Sequence, residues 1–167
     1  MKKHRTVLLA AALLAASSTV HASQTLIKVW TDVDTTLALL RADGSTLPDA
    51  VQLTHNPNSG LVPWTEQVRI YSNDTSKDVE VRLSSPPTLT SLDSTAPAVP
   101  LSVSLNAKAL TTAAQDFTAD ELFDGALPGA SIAMPLTITQ TTQAPITRSG
   151  TYEGLISIVM AQKTTAP

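Results

Sequence analysis

Apolar residues recur at every second position of this chain, in short runs bounded by turn-forming residues, and that spacing dictates strands rather than helices. The longest run covers residues 23–37, SQTLIKVWTDVDTTL, where Thr25, Ile27, Val29, Thr31, Val33, Thr35 and Leu37 share one face. Gln24, Lys28, Asp32 and Asp34 occupy the other face, with Leu26 and Trp30 as apolar exceptions. β-Branched side chains suit a pleated, half-buried surface, so this face is built for burial. A terminal segment frays unless something ties it down. A strand patterned like this one needs a sheet to join, its own or another molecule's.

Further strands follow by the same reading. Residues 50–54 predict a short strand with Val51 and Leu53 inward, and 56–60 (NPNSG) a loop. Residues 66–72 and 78–84 predict a hairpin, with Val68 and Ile70 on one arm and Val79, Val81 and Leu83 on the other. Gln67, Arg69, Glu80 and Arg82 fall on the opposite, wet faces. After Pro86-Pro87 a brief edge strand is expected around Leu89 and Leu92. Residues 99–105 and 131–140 predict two longer strands, Pro100 being tolerable only at a strand start or edge. Residues 151–161 carry apolar side chains on both faces, which predicts a last strand buried on both sides. The one helical turn expected is 118–123, with Thr118 as cap and Glu121 three residues on. The chain reads as all-β.

Residues 1–22 have the parts of a secretory leader: Lys2, Lys3 and Arg5, an apolar run over 7–16, then Val20-His21-Ala22 before Ser23. The run is too short for a bilayer span, which needs about 20 residues. The expected mature chain therefore starts at Ser23. Overall net charge is −3, and losing three leader cations makes the mature chain more acidic. That argues against nucleic acid as a partner. There is no cysteine, so disulfide staples, zinc–thiolate sites and thiol catalysis are excluded.

The catalytic inventory is thin. Once the leader is removed His55 is the only histidine, set in a Pro/Gly loop. No Gly-rich phosphate loop, nucleophile elbow or His-pair metal motif occurs. Asp32 and Asp34 sit two apart on one strand face, and Asp116, Asp120, Glu121 and Asp124 cluster near the helical turn; both sets read as solvated surface, without the spacing of a calcium loop. Asn73-Asp74-Thr75 matches a glycosylation sequon but needs only its turn-forming role. No enzyme activity and no cofactor are expected. The alternative to a structural protein is a self-contained secreted β-sandwich that binds carbohydrate on Trp30 and Trp64.

Several blocks resemble the major pilins of class 5 fimbriae, the colonisation-factor-antigen and coli-surface-antigen type: VDTTLALLRADGSTLPDAVQLTH (33–55), YSNDTSKDVEVRLSSPPTLTSL (71–92), VPLSVSLNAKALTTAAQDFTADEL (99–122) and SGTYEGLISIVMA (149–161). The resemblance implies an incomplete immunoglobulin-like sandwich lacking its last strand, with an N-terminal donor strand that completes a neighbour. It divides the chain into a signal peptide (1–22), a donor strand (23–36) and a pilin domain (37–167). Ile27, Val29, Thr31 and Val33 would be the donor residues, with Thr35 and Leu37 extending the face. Members of the family often carry Pro where this chain has Thr35. The implied partners are further copies of the chain, a periplasmic chaperone, an outer-membrane usher and a tip adhesin subunit. The implied location is a surface fimbria reached through the periplasm.

Overall fold

The computed structural model describes residues 37–92 and 96–163. Two sheets face each other across one core. The larger sheet begins with β1 (Ala38–Arg41), followed by β4 (Trp64–Tyr71), β10 (Met134–Gln140) and β7 (Val99–Leu105). It continues through β6 (Thr88–Ser91) to β11 (Tyr152–Glu153), and β8 (Lys108–Leu110) also pairs with β7. The smaller sheet runs β12 (Ile158–Gln162), β5 (Val79–Leu83), β9 (Gln115–Phe117). A small hairpin joins β2 (His55–Asn56) to β3 (Gly60–Leu61). Every pairing is antiparallel.

Period-two patterning explains the core. Val68 and Ile70 of β4, Met134, Leu136 and Ile138 of β10, and Leu101, Val103 and Leu105 of β7 point inward from the larger sheet. Val79, Val81 and Leu83 of β5, with Phe117 of β9, meet them from the smaller one. Fully burying one such side chain is worth about 1.5–3 kcal/mol. The short helix α1 (Ala119–Leu122) plugs the core with Leu122, and its N-terminus carries the expected capping box between Thr118 and Glu121.

Three local expectations are corrected. β4 and β5 are not a hairpin, since β4 pairs with β1 and β10 whereas β5 pairs with β12 and β9. Each strand has a single apolar face, and stacking those faces across the sandwich buries both. Side-by-side pairing would instead leave one sheet's surface open. Residues 50–54 form no strand; Val51 and Leu53 are half-buried alternately, but the ladder forms one step later between His55–Asn56 and Gly60–Leu61.

The expected last strand is two. β11 pairs with β6 in the larger sheet and β12 with β5 in the smaller. The break falls at Gly154, where a Cβ would run into the Thr88 carbonyl, opposite the Pro86-Pro87 interruption. Ser84 N–H still bonds the Ser157 carbonyl at 3.0 Å, so a single antiparallel ribbon bends from one sheet onto the other. Nor is that segment buried on both sides: β12 is half-buried and Leu155 is 82% exposed.

Candidate assembly site

Among the described residues the sandwich is closed along one side and open along the other. On the closed side β8 lies against both β5 and β9, linking the larger sheet to the far end of the smaller. On the other side each sheet simply ends, the larger at β1 and the smaller at β12. Among the described residues no strand pairs with the second edge of either. β12 therefore presents a row of backbone N–H and C=O groups, which in a stable protein must be covered or paired. Ile158 and Met160 alternate along that strand, half-buried against the core, as are Ile156 just before it and Leu39 on β1.

Chain direction at this opening is fixed by two registers. Ala38, the first residue of β1, pairs with Tyr71, the last of β4. Gln162, the last residue of β12, donates its side-chain amide to Ser72 Oγ at 2.6 Å and to the Asp74 carbonyl at 3.3 Å. β1 thus starts at the pole where β12 ends, and the two edges run in opposite directions. Leu37, the first described residue, precedes β1 at that same pole.

Neighbouring groups hold this pole in place. Lys163 N–H bonds the Asp78 carbonyl at 2.9 Å. Lys163 Nζ pairs with Asp116 Oδ2 at 2.6 Å and Glu80 Oε1 at 3.6 Å. The Asp116 hydrogen bond, helped by Glu80, holds the Lys163 ammonium above its ordinary pKa. In the loop between β4 and β5, Asp74 Oδ1 accepts from Ser76 N–H and Oγ, which holds its carboxyl below the usual aspartate range. At the opposite pole, Gln143 donates to the carbonyls of Ser59 and Leu61, and Gln140 Oε1 accepts from Leu61 N–H, pinning the β2–β3 hairpin across the end of the core.

Of the expected donor residues, Ile27, Val29, Thr31, Val33 and Thr35 lie outside the described residues, as do Asp32, Asp34 and Trp30. Leu37 is described; it is half-buried and packs against the domain's own core. Trp64 is likewise half-buried in that core, so its ring is committed to packing. His55 is exposed within β2. Three of the four acidic residues near α1 are engaged locally: Asp116 with Lys163, Glu121 with the helix cap and Lys108, and Asp124 with the Ala126 N–H. Among the described residues no three His, Cys, Asp or Glu side chains gather as a metal group. Sequence reading missed Gln162 and Lys163, whose partners lie scores of residues away and leave no local pattern.

Comparison with known proteins gives a consistent result. Residues 23–161 match the family described as "CS1 type fimbrial major subunit". The chain is 34% identical over 139 residues to a CFA/I fimbrial subunit of Escherichia coli O78:H11, covering 80% of this chain and 82% of the relative. It is 31% identical over 172 residues to a CS1 fimbrial subunit of Escherichia coli, covering 98% and 100%. Its fold resembles the solved CooA pilin subunit from enterotoxigenic Escherichia coli, with a TM-score of 0.65 and 28% identity over 79% of this chain and 90% of that one.

Proposed function

This chain belongs to the CS1 type fimbrial major subunits, and we propose that it polymerises by lending its N-terminal strand, residues 23–36, to the open side of the next copy. The protein is a structural subunit of a surface fimbria with an incomplete immunoglobulin-like sandwich. The observation that carries the proposal is the position of β12. Among the described residues β12 is the last strand and ends the smaller sheet with one edge unpaired, and Ile158 and Met160 are half-buried beside the gap.

An added strand supplies both things that edge lacks. Its backbone completes the ladder, and its alternate side chains enter the core, the mode by which pilins are complemented in general. Ile27, Val29, Thr31 and Val33 are the donor side chains, and Thr35 extends the face. Their burial contributes roughly 5–10 kcal/mol before ordering costs. Leaving requires stripping the whole strand at once, so the joint persists kinetically in a chain without cysteine. The contact is head-to-tail and does not close, which generates a fibre.

Before assembly the same edge needs a substitute strand, a role for a periplasmic chaperone. Export through an outer-membrane usher and attachment to a tip adhesin complete the scheme. The family match begins at Ser23, the residue that removal of the 1–22 leader exposes. The carbohydrate-binding alternative is not favoured, since Trp64 is occupied in the core.

The test is Val29→Asp in the mature chain. A buried carboxylate without a partner is strongly disfavoured. The variant should keep its own fold, accept a donor strand and form no fibres; normal fibres would refute the donor assignment. Deleting residues 23–36 should likewise leave a protein that accepts a strand but cannot offer one.

A further inference from the structure

The geometry points to Gln162 as the positioning residue that sets the width of the open side for an incoming strand, a reading that rests on donor-strand exchange at β12. The two edges of the gap belong to different sheets and share no ladder among the described residues. Backbone pairing therefore does not fix their separation. A cross-sheet contact must do so, and the Gln162 amide makes one. It joins the end of β12 to Ser72, the residue after β4, directly beside the start of β1. Lys163 is bound just as closely, but to Asp116 and Glu80 of the same sheet, so it stiffens β12 without spanning the gap.

The receiving end is rigid. Ser72 is 5% exposed, donates its hydroxyl proton to the Asp74 carbonyl at 2.9 Å and accepts the Asp74 N–H at 3.1 Å. With that proton committed, Ser72 Oγ and the Asp74 carbonyl both face Gln162 as acceptors. The position needs a donor of about glutamine's reach. This chemistry makes the role separable from packing: lysine keeps a donor there, alanine removes it, and glutamate places an acceptor against two acceptors.

The experiment follows uptake of a labelled synthetic peptide of residues 23–36 by the mature chain carrying Val29→Asp, which offers no competing donor strand. In that background Gln162→Ala, which loses the bonds to Ser72 Oγ and the Asp74 carbonyl, should slow uptake by at least roughly 2–10-fold, the effect of a single lost hydrogen bond. Gln162→Lys should restore the parent rate, and Gln162→Glu should be slower than Gln162→Ala. With Val29 intact, Gln162→Ala subunits should still donate to an unmodified groove at the normal rate. Equal uptake by all variants overturns the inference, as does failure of Lys to restore it or an equal loss in the donor role. If the Val29→Asp parent with Gln162 intact takes up no peptide, donor-strand exchange itself is refuted, and Gln162 is not at fault.

Discussion

Asn106 and Ala107 form the two-residue turn between β7 and β8, and both have positive φ, 49° and 62°. A tight hairpin of this kind needs left-handed backbone at both central positions, which Asn tolerates and Ala does not. Ala107→Gly should therefore stabilise the domain by about 0.5–1 kcal/mol, the steric relief outweighing glycine's extra chain entropy. The readout is a higher denaturant midpoint at unchanged slope. Single residues also set the acid limit. Hydrogen bonds from Ser45 hold the Asp43 carboxyl low, those from Ser76 do so for Asp74, and those from the Thr118 backbone and Lys108 for Glu121. A carboxylate whose pKa is lowered by folding adds stability above its unfolded value, and that stability is lost as pH falls through the folded value. All three groups lie at the surface, so the effect is modest. The midpoint should hold at neutral pH and begin to fall below about pH 4; a midpoint indifferent to acid would contradict these assignments.

At the scale of elements, local chemistry was readable and pairing was not. The capping box of α1, the alternation of β4, β5, β7 and β10, and the break after Pro86-Pro87 follow from neighbours within a few residues. Thr118→Ala should cost about 1 kcal/mol, measured by thermal or denaturant unfolding. Which strand lies beside which depends on contacts far apart in the chain. Val68 and Ile70 fit equally well beside β5 or above it, so the expected hairpin proved to be a crossing between sheets. Period two also defines one apolar face through Ile27, Val29, Thr31 and Val33, which lie outside the described residues, and their donor role is a proposal. The open edge was not legible, because nothing in ISIVMAQ says that β12 ends its sheet among the described residues. Pinning of the β2–β3 hairpin gives another prediction at this scale. Gly60 has φ 94°, and a Cβ there would meet the Ala144 carbonyl and Gln140 Oε1. Gly60→Ala should destabilise the domain by about 2–4 kcal/mol, seen as a lower denaturant midpoint.

For the whole molecule, the proposed assembly brings together the β12 edge, unpaired among the described residues, and the period-two segment of residues 23–36 from another copy. β1 starts at the pole where β12 ends, and in the proposed assembly the donor strand, residues 23–36, leaves each copy from there. The absence of cysteine offers a direct probe of where that strand goes. One new cysteine replaces Val29 or Thr31, and a second replaces Ile158 or Met160 in the same chain. Facing residues on adjacent strands lie within disulfide reach, with Cα atoms about 4.5–5.5 Å apart. Fibres of each pairing are oxidised, then run on a denaturing gel with and without reductant. The expected result is a ladder of covalent dimers, trimers and longer multimers in at least one pairing, collapsing to monomer on reduction. Intact fibres that give only monomer in every pairing, or a bond closed within single chains, would contradict strand donation between subunits.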